Sequence, residues 1–143
     1  MKNSTGTAWF PAPEDLGERV WGEEILLSTS PGNFTLKKLF IKAGSKGGLQ
    51  YHRMKEEAGY IVSGQLLVRY DDGTGVLSEK ILGPGECFLF PKFSVHQEEA
   101  LEDTVIIEAS TPYLNDRVRV EKKYGLEEIE GLPTTSESEI IKI

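Results

Sequence analysis

Gly44-Ser45-Lys46-Gly47-Gly48-Leu49-Gln50-Tyr51-His52-Arg53-Met54-Lys55-Glu56-Glu57-Ala58-Gly59-Tyr60-Ile61-Val62-Ser63-Gly64 is the stretch on which the reading of this chain turns. Gln50 and His52 stand two apart, so on an extended strand both side chains project to one face. Glu57 follows across a short turn, Arg53 to Glu56, where the chain reverses into a β-branched and aromatic run. A carboxylate at that place can point back to the face that carries His52.

The chain has only one other histidine, His96, beyond the Gly85 to Pro91 strand and the Lys92 to Val95 turn. A lone histidine is more often a surface or satisfied core residue than a ligand. Here the company differs. Two imidazoles, one carboxylate and one amide oxygen form a donor set for a borderline or harder divalent ion. Gln50, His52, Glu57 and His96 are therefore the candidate ligands.

Working outward, Gly and Pro clusters cut the chain into short strands. Val20 to Ser28 and Phe34 to Lys42 are separated by the turn cluster Ser30-Pro31-Gly32-Asn33. Gly59 to Ser63 and Gln65 to Tyr70 flank Gly64. Asp71-Asp72-Gly73-Thr74-Gly75 supplies a hairpin turn before Val76 to Leu82. Gly83-Pro84-Gly85 leads into Cys87 to Phe90, and Thr104 to Ser110 makes a further strand. Short strands at this spacing, almost without helical periodicity, predict a β-sandwich or barrel. The chain divides into an N-terminal arm (1–19), a barrel (20–125) and a Glu-rich C-terminal tail (126–143), expected to be peripheral.

With 143 residues, one core is the expectation. A net charge of −7 and no basic run argue against nucleic acid. No apolar run has the length of a membrane span, and Met1 to Leu16 lacks a leader's basic and apolar regions, so export is not expected. The one cysteine, Cys87, excludes an internal disulfide and suits a cytoplasmic location. Asn3-Ser4-Thr5 and Asn33-Phe34-Thr35 match the glycosylation pattern and are read as chance.

Two spacings resemble the paired motifs of the cupin superfamily. The first runs Gly44, five residues, Gln50-x-His52, four residues, Glu57, six residues, Gly64. The second runs Gly85, five residues, Pro91-Lys92-Phe93, two residues, His96, three residues, Ala100. Gln50 stands where the family has a first histidine, Phe93 where it has glycine and Ala100 where it has asparagine. The resemblance implies an all-β, single-domain double-stranded β-helix, a jelly-roll barrel. It also implies one divalent metal ion (zinc first, with manganese, nickel or iron as alternatives) and a homodimer paired through edge strands.

Gln-x-His, Glu and His together resemble the cupin domain of type II phosphomannose (mannose-6-phosphate) isomerases. Val20-Trp21-Gly22, Leu36-Lys37-Lys38-Leu39, Ile41-Lys42-Ala43-Gly44, Val62-Ser63-Gly64, Asp116-Arg117-Val118-Arg119 and Tyr124-Gly125 extend the likeness over roughly Trp21 to Gly125. It is patchy: Arg53 to Glu56 replaces a His-rich, Arg-containing stretch, and Ala58-Gly59 replaces a His-Trp pair. The resemblance implies a metal-dependent sugar or sugar-phosphate isomerase with a small-molecule substrate. Lys55 falls where those enzymes carry an arginine and is the catalytic candidate, as the cation facing a substrate phosphate or carboxylate. Arg53, Lys37 and Arg117 are further substrate-binding candidates. No residue stands out as the base. Tyr51, Tyr60, Arg69, Tyr70 and Gln97 could line the cavity, with Tyr51 expected to face outward by alternation and Glu98 expected at the surface. A non-haem iron dioxygenase and a non-catalytic sugar- or acid-binding module are the alternatives.

Overall fold

The structure is a computed structural model and describes residues 6–143. The triplet Asn3-Ser4-Thr5 and the start of the arm lie outside the described residues. The strands are β1 (Glu14–Arg19), β2 (Gly22–Ser30), β3 (Phe34–Ile41), β4 (Gln50–Tyr51), β5 (Glu57–Ser63), β6 (Leu66–Asp71) and β7 (Leu77–Leu82). They continue as β8 (Cys87–Phe90), β9 (His96–Ala100), β10 (Thr104–Ser110), β11 (Tyr113–Leu114), β12 (Val118–Arg119) and β13 (Ile141–Lys142). Among the described residues helical structure is limited to two single-turn segments, Glu121–Tyr124 and Glu137–Glu139. Among the described residues no helix is long and apolar enough to cross a membrane.

The strands form a six-stranded sheet, β1-β2-β3-β10-β5-β8, and a five-stranded sheet, β12-β4-β9-β6-β7, while β11 and β13 pair by themselves. Pairing is antiparallel throughout. The hairpin between β6 and β7 closes as its sequence predicts: Asp71 Oδ1 accepts from the N–H groups of Gly73 (2.8 Å) and Gly75 (3.1 Å). The core joins Ile61, Phe88, Phe90 and Ile106 of the larger sheet to Leu66, Val68 and Leu82 of the smaller. This is a jelly-roll β-barrel, the architecture implied by the cupin resemblance and one of those the strand pattern allowed.

Two glycines make the packing possible. Gly64 has φ +91°, and a Cβ there would lie 2.3 Å from the Asp103 carbonyl oxygen. A Cβ on Gly59 would lie 2.2 Å from the Phe88 ring, so the absent side chain lets that ring fill the core.

The interior changes character along β10. Its inward residues are Thr104, Ile106, Glu108 and Ser110, all buried. Ile106 packs in the apolar core, whereas Ser110 hydrogen-bonds Thr35 at 2.8 Å and Glu108 is left with its carboxyl beside the histidines' end of the barrel. An apolar core at one end therefore supports a polar chamber at the other.

The differences from the sequence reading lie in the polar strands. β1 falls within what was read as an arm and forms an edge of the larger sheet on β2. β9 was not read as a strand at all. The tail lies against the barrel: Thr135 is buried and accepts from Arg117 N–H at 3.1 Å, and β13 pairs with β11.

Candidate metal centre

β4 and β9 lie side by side with Gln50 directly opposite His96, so these two side chains leave the sheet on the same face. His52 follows β4, and Glu57 opens β5 after the Arg53–Glu56 turn. The Phe93 N–H donates to the His52 carbonyl at 2.8 Å, which ties the second motif's turn to the first motif. His52, Glu57 and His96 are all buried, and their ligating atoms lie within 4.8 Å of one another.

The hydrogen bonds fix what each atom can do. His52 Nδ1 meets the carbonyl oxygen of Asp116, and His96 Nδ1 lies 3.0 Å from that of Ser94. A carbonyl only accepts, so each Nδ1 carries a proton and each Nε2 is turned inward toward Glu57. Both Nε2 atoms stand 3.2 Å from the same atom, Glu57 Oε1. The two imidazole nitrogens and the carboxylate oxygen converge, as the ligands of one divalent ion must. Two imidazole nitrogens and a carboxylate oxygen fit zinc, manganese, iron or nickel, so the residues present suit the metal that this fold commonly carries. Phe90 stacks on the His96 ring at 4.0 Å and 13°, holding it from the apolar side.

Lys55 Nζ lies 3.1 Å from Glu57 Oε2, the oxygen turned away from the histidines. Burial opposes a charge on Lys55, but Glu57 and Glu108 outweigh it and raise its pKa, so the ammonium persists throughout the working range. Burial would likewise raise Glu57. The neighbouring Lys55, His52 and His96 overcome it and hold this carboxyl well below the usual carboxylate range.

The other predicted cations are placed as follows. Lys37 lies on the inner face of β3, opposite Glu108, with its Nζ 2.7 Å from Glu24 Oε1. Arg53 donates from Nη1 to the Thr135 carbonyl at 2.8 Å, and Arg117 from Nε to that of Pro133 at 2.8 Å. Both arginines reach into the tail.

Glu98 overturns the expectation of a surface role. It shares the inward parity of His96 and lines a cleft of about 180 Å³ with Trp21, Leu39, Ile41, Ser45 and Ala100, which none of the candidate ligands lines. Burial, then Glu57 and Glu108, push its carboxyl well above the normal range. Burial and Glu57 push Glu108 up to about 7. Arg69 and Gln97 occupy the opposite face of the smaller sheet, where Arg69 pairs with Glu79 and Glu99 and donates to Gln97, so neither lines the chamber. Tyr60 is exposed, Tyr70 packs on the core and Tyr51 meets the Phe93 ring at 5.9 Å.

Asp116 is the functional residue that motif reading passed over. Besides its carbonyl on His52, its carboxylate accepts from the N–H groups of Arg53 (3.0 Å), Met54 (2.7 Å) and Lys55 (2.8 Å). One residue thus shapes the whole turn between His52 and Glu57. The sequence reading quoted it only within the Asp116-Arg117-Val118-Arg119 likeness and gave it no role.

Comparison with known proteins agrees with this architecture. Residues 39–109 match the cupin domain family, so this chain carries a cupin domain. No curated protein matches the chain. Among solved structures it is similar to KdgF from Halomonas sp. (21% identity, TM-score 0.59), covering 69% of this chain and 87% of that one. It is also similar to an RmlC-like cupin from Shewanella frigidimarina (21% identity, TM-score 0.58, 78% and 95% covered). A third is the capsular polysaccharide assembling protein CapF from Staphylococcus aureus, at 19% identity and TM-score 0.58. That match covers 70% of this chain but only 30% of CapF. These likenesses establish the fold.

Proposed function

We propose that this protein is a metal-dependent isomerase of an open-chain sugar or sugar phosphate, with Gln50, His52, Glu57 and His96 as the ligands. The observation that carries the reading is a pair of inward-facing carboxyl groups, buried Glu108 and half-buried Glu98, each near enough to Glu57 of the histidine–glutamate cluster to be pushed up by its charge. A bound divalent ion would polarise a substrate carbonyl and its neighbouring hydroxyl. The protein's own part is to move a proton between adjacent carbons. Glu108, poised near neutrality, takes the proton from the hydroxyl-bearing carbon and returns it to the former carbonyl carbon, while the proton of that carbon's hydroxyl passes to the former carbonyl oxygen. Lys55 is the positioning residue that holds Glu57 with one oxygen free for the ion. Phe90 and the apolar core close the chamber from below.

Two histidines and one carboxylate also suit oxygen-activating iron, which supports a second reading as a dioxygenase. The test is to incubate metal-loaded protein with aldose and ketose pairs in D₂O while recording dissolved oxygen. Deuterium entering at C1 or C2 without oxygen uptake supports the isomerase. Oxygen uptake on iron loading, without exchange, transfers the case to the dioxygenase.

The same reading expects a homodimer in the cytoplasm. Exposed Ile81 on β7 and Leu89 on β8, the outermost strands at one side of both sheets, support pairing there.

A further inference from the structure

The tail reaches the candidate metal centre through one residue, Thr135, which is 4% exposed. Its hydroxyl accepts the Arg117 N–H at 3.1 Å and donates to the Arg117 carbonyl at 3.2 Å, where its own N–H also donates at 3.0 Å. Its carbonyl accepts from Arg53 Nη1 at 2.8 Å. Arg117 follows Asp116 and Arg53 follows His52. Thr135 thus holds the next residue along from each member of the His52–Asp116 bond.

The bond to the Arg117 N–H reaches furthest. That N–H and the Asp116 carbonyl belong to one peptide group, and a trans peptide is planar with the two pointing in opposite directions. Thr135 Oγ1 therefore grips one side of the plane whose other side accepts the Nδ1 proton of His52. Fixing that plane fixes the direction from which the carbonyl meets the imidazole, and so the direction of Nε2. Hydrogen bonds in such a chain also polarise one another, which makes the carbonyl a stronger acceptor. His96 has no such link: its Nδ1 meets the carbonyl of Ser94, and Ser94 bonds Pro91 rather than the tail.

From this we infer that Thr135 is a positioning residue of the metal centre, acting on His52 through the Asp116–Arg117 peptide. The inference rests on the candidate ligand set and is independent of the reaction proposed above.

The test uses the full chain with isotope-labelled histidine, and zinc as the probe metal. The chain has two histidines, so NMR follows two Nδ1–H signals and His96 serves as the internal control. In Thr135→Val, which keeps the shape of the side chain, zinc affinity should fall about tenfold, the low end for losing a partner that orients a ligand. The His52 signal should shift and exchange faster with solvent while that of His96 stays in place. Thr135→Ser returns the hydroxyl and should restore both. A folded Thr135→Val with unchanged zinc affinity, or with an unmoved His52 signal, overturns the inference. Equal shifts of the two histidines overturn it as well, since they mark general loosening. The unaltered protein decides the matter if the variant fails to fold. Coupling is reciprocal, so zinc should slow hydrogen exchange at the Arg117 and Thr135 N–H groups about tenfold beyond any change at Gly73 and Gly75 of the β6–β7 hairpin. No such slowing overturns the inference and leaves the metal centre standing. A full chain that takes up no zinc overturns both.

Discussion

The carbonyl oxygen of Asp116 accepts the Nδ1 proton of His52 across a sequence separation of 64 residues. That bond sets which imidazole nitrogen faces Glu57, while the same residue's carboxylate gathers the N–H groups of residues 53 to 55. The end of the barrel therefore holds the beginning of the ligand set in register.

Asp116→Ala leaves the carbonyl in place but releases the turn. Metal affinity should fall by about 10–100-fold, the usual effect of losing a partner that orients ligands. Competition with a chromophoric chelator measures it; unchanged affinity would mean the turn is held by other contacts.

The same residue predicts a pH dependence of stability. Burial would raise the Asp116 pKa, but the three backbone N–H bonds prevail and lower it. A lowered folded pKa means the stabilisation is complete above the unfolded value, about 3.9, and is lost as pH falls through the folded value. Urea titrations from pH 6 downward should show stability falling below about pH 4. The fall should be shallower in Asp116→Asn. Parallel curves for the two proteins would refute the assignment.

Lys55→Met leaves Glu57 buried without its cation. The cost should be about 3 kcal/mol in metal-free protein, near the low end for a broken buried pair because the Lys55 side chain is 20% exposed. Bound metal should recover part of it. Chemical denaturation with and without zinc reads both terms, and a neutral substitution would count against the role given to Lys55.

Phe93 occupies the place of the motif's glycine and adopts that residue's backbone, with φ 65°. A left-handed conformation costs a side-chain-bearing residue roughly 1–2 kcal/mol. The ring is 64% exposed, so its contact with Tyr51 returns only part of that. Phe93→Gly should be more stable than Phe93→Ala by about 1 kcal/mol, since both remove the ring and only one relieves the backbone. Equal stabilities would mean the turn relaxes out of the left-handed region.

How much of this was visible in the sequence follows from what each strand faces. β8 and β10 match their predicted limits because β-branched and aromatic residues fill both. β1, Glu-Asp-Leu-Gly-Glu-Arg, has no such pattern; it is an edge strand held by its register with β2. β9, His-Gln-Glu-Glu-Ala, is polar on both faces. One face meets the chamber and the other meets Arg69, so alternation of polar and apolar residues had nothing to report. Glu98 was misplaced for that reason. The ligand spacings were legible because strand parity and a short turn suffice to bring His52 and Glu57 together. Asp116 was not, because it acts through a carbonyl and a turn, which leave no spacing to read.

The tail makes a separate prediction. The Arg119 side chain, 5% exposed, binds Glu121, itself buried, and donates to the carbonyls of Ile129 (2.9 Å) and Leu132 (3.0 Å). Arg119→Met strands the Glu121 charge and should cost about 3–5 kcal/mol. Hydrogen exchange should rise over residues 126–135 before it rises in β10. Exchange that rises everywhere together would show that the tail and barrel open as one unit.

The central claim is that His52, Glu57 and His96 hold one divalent ion. Elemental analysis of untagged protein, followed by zinc titration, tests it most directly when run beside a His52→Ala, His96→Ala variant whose circular dichroism confirms an intact β-fold. The account predicts about one equivalent in the unaltered chain and none in the variant. Metal retained by the variant, or none taken up by the unaltered chain, would contradict it.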